Sequence, residues 1–250
     1  MNAPLDRARH LRAAARFATG LAAALTLSAC SLMPSFLGGG PDRPKPAELA
    51  PNPALLAVRQ AWSARLPKVE LPLHVSVTGG TVWVAASDGT VAGIDAASGR
   101  DLWRTRIDSP LSAGIGSDGT LAAVVTRTNQ IVTLKAGTEL WRQPLGAQSF
   151  TAPFVAGGRV FVLGGDRSVS AFDGQSGRKL WTQQRPGEPL VLRQAGVLLA
   201  IGDTLVVGQA GRLTGLNPQN GSIRWEAPIA TPRGTNDVER LVELDRKSVV

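Results

Sequence analysis

From about residue 72 onward, apolar and polar residues alternate in short runs, each closed by a turn-forming pair. Leu73–Val77, Thr81–Ser87, Thr90–Ala96 and Asp101–Ile107 are predicted as four consecutive strands. The signals between them are Gly79-Gly80, Asp88-Gly89 and Ser98-Gly99. Such pairs supply the positive φ that tight hairpin turns require, so the strands should run antiparallel to their neighbours. No stretch beyond residue 56 carries a convincing 3.6-residue apolar period, and helix is expected to be nearly absent there.

The same unit then recurs. Trp62, Trp103, Trp141, Trp181 and Trp225 are separated by 41, 38, 40 and 44 residues, the period of one four-stranded propeller blade. Asp88–Trp103, Asp166–Trp181 and Gly211–Trp225 are copies of one another, with Ser98-Gly99, Ser176-Gly177 and Asn220-Gly221 at the last turn. Asn129–Trp141 is a fourth copy, shortened at that turn. The fold class is therefore all-β, a propeller of four-stranded antiparallel blades. The blades are placed near 72–107, 111–145, 149–185 and 190–229, and a fifth begins near 236.

A blade buries neither of its faces by itself, so it must stack on its neighbours. Trp103, Trp141, Trp181 and Trp225 are read as structural docking residues that fill the space between sheets. The chain stops inside the first strand of the fifth unit, which reads as part of a longer protein. A closed four-bladed ring would leave the last fifteen residues without a place.

The first 56 residues have a different character. Arg7, Arg9, Arg12 and Arg16 precede the small apolar run Phe17–Leu27, as in a secretory signal peptide over 1–29. That run is shorter than the roughly 20 residues of a membrane-spanning helix. Residues 30–56, with Gly38-Gly39-Gly40 and Pro41, Pro44, Pro46, Pro51 and Pro53, read as a tether that would stand the propeller of 57–250 off a surface by tens of Å.

Composition narrows the chemistry. Of 250 residues 43% are hydrophobic and 18% charged, enough to build a core. The formal charge is +8. Without residues 1–29 it becomes +5, with no Lys/Arg run, which gives no support for nucleic acid and suits an anionic membrane surface. A single cysteine excludes an internal disulfide and a Cys-based metal site. His74 is the only histidine past residue 29, which excludes His-pair zinc motifs. No phosphate-binding loop is present, and Gly157-Gly158 and Gly164-Gly165 read as hairpin turns.

Two resemblances add to this reading. Leu27-Ser28-Ala29-Cys30 resembles the lipobox of bacterial lipoproteins, which implies cleavage before Cys30 and its acylation with palmitate-type chains. Ser31 at the next position, in place of Asp, implies transfer to the outer membrane on its periplasmic side. Ile94–Trp103, with its copies at 172–181 and 216–225, resembles the Trp-docking motif of pyrroloquinoline-quinone (PQQ)-type propeller repeats, which commonly form eight blades. Together these features resemble the BamB family of lipoproteins of the outer-membrane β-barrel assembly (BAM) machinery, over nearly all of residues 20–250.

That resemblance implies a non-enzymatic scaffold without a cofactor. It would bind the POTRA domains of BamA, work with other BAM components and assist unfolded outer-membrane β-barrel precursors. Leu190, Leu192 and Arg193 match one segment with which the family contacts those domains, and Glu243 and Asp245 match another. Glu243 stands where the family usually has Asp, moving the charge by one methylene. Read without the resemblance, Leu190 and Leu192 fit a strand with alternate residues facing a core.

Two other functions fit blades of this kind. A PQQ-dependent dehydrogenase would need Ca²⁺ ligands, an Asp base and often adjacent cysteines. The visible candidates, Asp95 and Asp173, sit at turns where Asp bonds its own backbone. A propeller that binds another envelope component is equally compatible with the blades, since fold does not fix function.

Overall fold

The computed structural model describes residues 59–184 and 195–230. Sixteen strands form four sheets, each a four-stranded antiparallel meander, and no helix occurs among the described residues. The first blade contains β1 (Ser76–Thr78), β2 (Thr81–Ala85), β3 (Thr90–Asp95) and β4 (Asp101–Arg106). The second contains β5 (Gly116–Ser117), β6 (Leu121–Val125), β7 (Gln130–Lys135) and β8 (Thr138–Pro144). The third contains β9 (Phe154–Ala156), β10 (Arg159–Leu163), β11 (Val169–Asp173) and β12 (Lys179–Gln183). The fourth contains β13 (Val197–Ile201), β14 (Thr204–Gln209), β15 (Arg212–Leu216) and β16 (Ile223–Pro228).

The innermost strands of successive blades, β1, β5, β9 and β13, lie beside one another, so the sheets radiate from a common axis as propeller blades do. The observed strands are shorter than the alternation predicts. β1 begins at Ser76 rather than Leu73, because the ladder to β2 starts at the pair Ser76↔Trp83.

Each blade has two buried faces. Trp83, Ala85 and Val91 on one face of the first blade meet Ala122, Val124, Val132 and Leu134 of the second. The other face of the second blade, with Leu121, Ala123, Val125 and Ile131, meets Val155, Val160, Val162 and Phe172 of the third. Phe161, Leu163, Val169 and Ala171 of the third then meet Leu198, Leu205, Val207 and Leu216 of the fourth. A strand sandwiched in this way needs apolar residues in both registers, which is why β6, Leu-Ala-Ala-Val-Val, is buried along its whole length.

The outermost hairpin of every blade contains a β-bulge at the same place. The register shifts between Gly93 and Ile94, Thr133 and Leu134, Ala171 and Phe172, and Gly215 and Leu216. In the first blade Asp101 pairs with Ile94 and Trp103 with Gly93, so Leu102 is the extra residue. The bulge brings residues three apart onto one face. Arg104 accordingly forms a two-pronged bond to Asp101, Nε to Oδ2 at 2.7 Å and Nη2 to Oδ1 at 2.9 Å. Arg142 and Glu139 repeat it at 3.0 and 2.8 Å. In a regular strand these pairs would point to opposite sides.

The turns before the Trp residues share one geometry. Asp95 Oδ1 accepts the Ser98 amide and hydroxyl at 2.7 and 2.6 Å, and Gly99 follows at φ 72°. Asp173 and Ser176 do the same at 2.8 and 2.7 Å, followed by Gly177 at φ 71°. In the fourth blade Asn217 and Asn220 supply the side-chain acceptors, and Gly221 lies at φ 74°. The Gly164-Gly165 turn departs from expectation: its left-handed residue is Arg167, at φ 67°. A Cβ on Gly164 would instead lie 2.4 Å from the Asp166 carboxylate that ties this turn to Ser168.

Two outcomes follow. Trp141 is only 9% exposed, and Trp141→Ala should cost about 3–5 kcal/mol in urea unfolding. Trp225, 41% exposed, should cost clearly less on the same substitution. The hydroxyl and amide of Ser98, and those of Ser176, hold the Asp95 and Asp173 carboxyls below their ordinary value. Their stabilising effect is complete above that ordinary value of 3.8 and is lost as pH falls through the lowered folded-state value. Asp95→Asn with Asp173→Asn should therefore flatten the acid limb of a stability-versus-pH curve below about pH 4.

Candidate partner-docking face

Successive blades are held together by a contact that the Trp residues make across the gap. Trp62 donates its indole N–H to the Ala96 carbonyl at 2.9 Å, Trp141 to Gly174 at 2.8 Å and Trp181 to Pro218 at 3.1 Å. In each case the acceptor is the residue after the Asp or Asn that opens the last turn of the following blade. The ring lies on the glycine of that turn, and a Cβ at Gly99, Gly177 or Gly221 would sit 2.6 Å from indole atoms.

Trp103 is the exception. It faces the shortened turn of the second blade, Ala136-Gly137, with Gly137 beneath its ring. Its N–H finds no acceptor among the described residues, and Trp83 packs beside it at a ring separation of 5.7 Å. Trp225 lies over Gly215 of its own blade. The sequence marked these indoles by their period; it did not show that glycines and carbonyls of the next blade receive them. Trp83, outside the period, carried no signal beyond its own size.

The meander gives the molecule two different ends. The turns between the first and second and between the third and fourth strands of each blade share one, the hairpin face, where Ala96 N bonds Gly80 O and Gly174 N bonds Gly158 O. The turns between the second and third strands and the connections between blades share the other, the connection face. There Ile107 N bonds Gly89 O, Arg127 N bonds Pro110 O, and Gly165 N bonds Gln148 O.

The connections are unequal. Residues 107–115 and 145–153 are nine long, whereas 184–196 is thirteen. In a repeat protein, insertions gather on one face, which is often the binding face. Both flanks of the long connection are fixed to the connection face: Gln184 Nε2 donates to the Asp166 carbonyl at 2.8 Å, and Gly196 N to Thr151 Oγ1 at 2.9 Å. The chain also leaves the fourth blade there, with Ile229 N and Ala230 N both bonded to Gly211 O. Gln209 adds a buried polar group nearby: its Nε2 reaches the Gly164 carbonyl at 3.5 Å and its Oε1 has no hydrogen-bond partner among the described residues.

Leu190, Leu192 and Arg193, in the long connection, lie outside the described residues, as do Glu243 and Asp245 and the lipobox residue Cys30. His74 is packed against the connection before the second blade, where a Cβ on Gly114 would lie 2.6 Å from the His74 Cβ. No group of three or more His, Cys, Asp or Glu among the described residues is placed to hold a metal ion. Asp95 and Asp173 are spent on their own turns.

Radially stacked, Trp-docked meanders of this kind define a PQQ-type propeller. Within that class, residues 59–250 match the family described as "Outer membrane protein assembly factor BamB", and the chain belongs to that family. It is 36% identical over 232 residues to the BamB protein of Bordetella pertussis, covering 92% of this chain and 59% of that protein. The corresponding figures for Burkholderia pseudomallei BamB are 35% over 227 residues, 89% and 58%. The chain thus spans somewhat over half the length of these relatives.

Among solved structures, BamB from Moraxella catarrhalis superposes with a TM-score of 0.64 at 20% identity, covering 72% of this chain and 55% of that one. A quinohemoprotein alcohol dehydrogenase from Comamonas testosteroni reaches 0.50 at 16% identity, covering 64% and 35%. At such identities these two likenesses speak to fold alone.

Hydrogen exchange of the indole N–H groups offers a check on the docking geometry. Trp62, Trp141 and Trp181 should exchange slowly, and Trp103, without an acceptor, should exchange much faster than Trp141.

Proposed function

We propose that this chain is a non-enzymatic scaffold of the machinery that assembles outer-membrane β-barrels. Acyl chains on Cys30 hold it to the periplasmic side of the outer membrane. It docks on the POTRA domains of BamA through Leu190, Leu192 and Arg193 of the long connection together with Glu243 and Asp245. In that position it helps present unfolded β-barrel precursors to the barrel-forming protein.

The observation that carries the reading is the thirteen-residue connection 184–196, four longer than its two counterparts and anchored at both flanks to the connection face. The chain that continues toward Glu243 and Asp245 leaves the fourth blade on the same face. Arg193 directly follows Leu192, and arginine is a residue type enriched at interfaces, where it pairs well with carboxylates. Membership of a family described as assembly factors supports the same role. A dehydrogenase reading has less support, because Asp95 and Asp173 are engaged in turn hydrogen bonds that a catalytic base would have to give up.

Affinity capture of the full chain from detergent-solubilised membranes tests this. A POTRA-bearing barrel protein should be recovered, and Leu192→Ala with Arg193→Ala should reduce its recovery by more than about tenfold. Thermal unfolding of the double variant should match the parent. Undiminished capture by the folded variant would remove the patch assignment, and recovery of a different envelope component in place of the barrel protein would remove the assembly role.

A further inference from the structure

We propose that Asn220 is a latent site of spontaneous deamidation, held closed by the seat of Trp181 on the turn that contains it. Conversion at this site makes a loosening of the third blade from the fourth irreversible.

The sequence singles out one peptide bond. An asparagine loses its side-chain ammonia when the amide nitrogen of the next residue attacks its Cγ. A side chain on that next residue hinders the approach, and a proline has no amide hydrogen to give up. Among the described residues Asn129 precedes Gln130, Asn217 precedes Pro218 and Asn220 precedes Gly221. Only the last pair leaves the approach open. Asn220 is also exposed, so water reaches its carboxamide. The first and third blades carry Ser98 and Ser176 at the corresponding position, where the reaction has no substrate.

The folded turn opposes the attack. Gly221 is buried, and its N–H donates to the Asn217 carbonyl at 2.8 Å. The carboxamide oxygen of Asn220 is engaged as well, accepting the Ser222 amide at 3.0 Å. A productive approach needs nitrogen and carbon aligned at about 3–3.5 Å, with the nitrogen free to shed its proton. Trp181 closes the turn from outside. Its indole N–H donates to the Pro218 carbonyl at 3.1 Å, and its ring covers Gly221, where a Cβ would sit 2.6 Å from Cε3. The Gly221 amide is therefore released when the indole lifts, and the rate follows the fraction of molecules open at this turn.

Once the turn is open, hydroxide removes the Gly221 amide proton and the nitrogen bonds Cγ of Asn220. The Cγ–Nδ2 bond breaks, ammonia leaves with a proton from water, and a five-membered succinimide remains. Water opens that ring at either carbonyl, giving aspartate or isoaspartate. Isoaspartate carries the main chain through the former side chain and lengthens it by one methylene. Gly221, which lies at φ 74° beneath the indole, is then displaced, and Trp181 cannot reseat as before.

Peptide mapping of the full chain by mass spectrometry, in mildly alkaline buffer, tests this. In urea-unfolded protein Asn220 should convert readily, and Asn129 and Asn217 far more slowly. In the folded parent the Asn220 rate should fall by more than about tenfold. Trp181→Phe, which keeps a ring but removes the N–H, should raise the folded rate several-fold, whereas Trp141→Phe, one blade away, should not. Converted protein, separated by charge, should exchange its Trp181 indole N–H faster than the parent and its Trp141 N–H at the parent's rate.

Conversion as fast in the folded parent as in urea, or equal acceleration by the two Phe variants, would remove the guard. An Asn220 that stays intact in urea would remove the site. Parental Trp181 exchange in the converted protein would remove the effect on the blades. If a Phe variant fails to fold, the parent in graded urea decides. Its Asn220 rate should climb before the main unfolding transition, and a climb only within that transition would overturn the role of Trp181.

Discussion

The contact on which the structure depends is an indole crossing from one blade to the last turn of the next. It combines burial of a large apolar ring with one directed hydrogen bond, from Trp62, Trp141 or Trp181 to a backbone carbonyl. The bond fixes the angle between sheets, and apolar burial, which has no preferred direction, supplies most of the stabilisation. The glycine under each ring belongs to the same device. It permits the left-handed turn that presents the carbonyl, and its missing side chain leaves room for the indole. At the interface between the first and second blades, where the turn is shortened, the hydrogen bond disappears and Trp83 adds aromatic contact in its place.

The bulge in each outer hairpin serves this contact. It re-aims the Trp toward the next blade and sets a small residue opposite it: Gly93, Thr133, Ala171 or Gly215. The same displacement brings Asp101 under Arg104 and Glu139 under Arg142, on the outermost strands of the first two blades. Those strands have an unpaired edge, and charged pairs along it discourage association with the edge of another sheet.

The two ends of the blades differ in what they carry, and the proposed function draws on that difference. One end consists of short hairpin tips. The other gathers the connections, including the long one, to which the proposed contact residues Leu190, Leu192 and Arg193 belong. Docking of the proposed kind asks of the blades only that they be rigid and correctly spaced. The apolar interleaving of the sheets provides that rigidity.

Much of this architecture was legible in the sequence, because blade, turn and Trp recur at a fixed spacing and each is a local property. The alternation in Thr81–Ala85 and Thr90–Asp95 and the Asp-Gly and Ser-Gly turns are such local signals. The shortened turn before Trp141 was visible as missing residues. What it removes, an acceptor for Trp103 of the preceding blade, was not, because donor and acceptor lie in different repeats. For the same reason the ion pairs across the bulge and the left-handed Arg167 could not be read from spacing. Sequence by itself determined the repeat, its strands and the residue types at each turn, since these depend on neighbours along the chain. Tertiary structure decided which carbonyl meets which indole and which face carries the long connection, because those depend on groups about one blade apart that only stacking brings together.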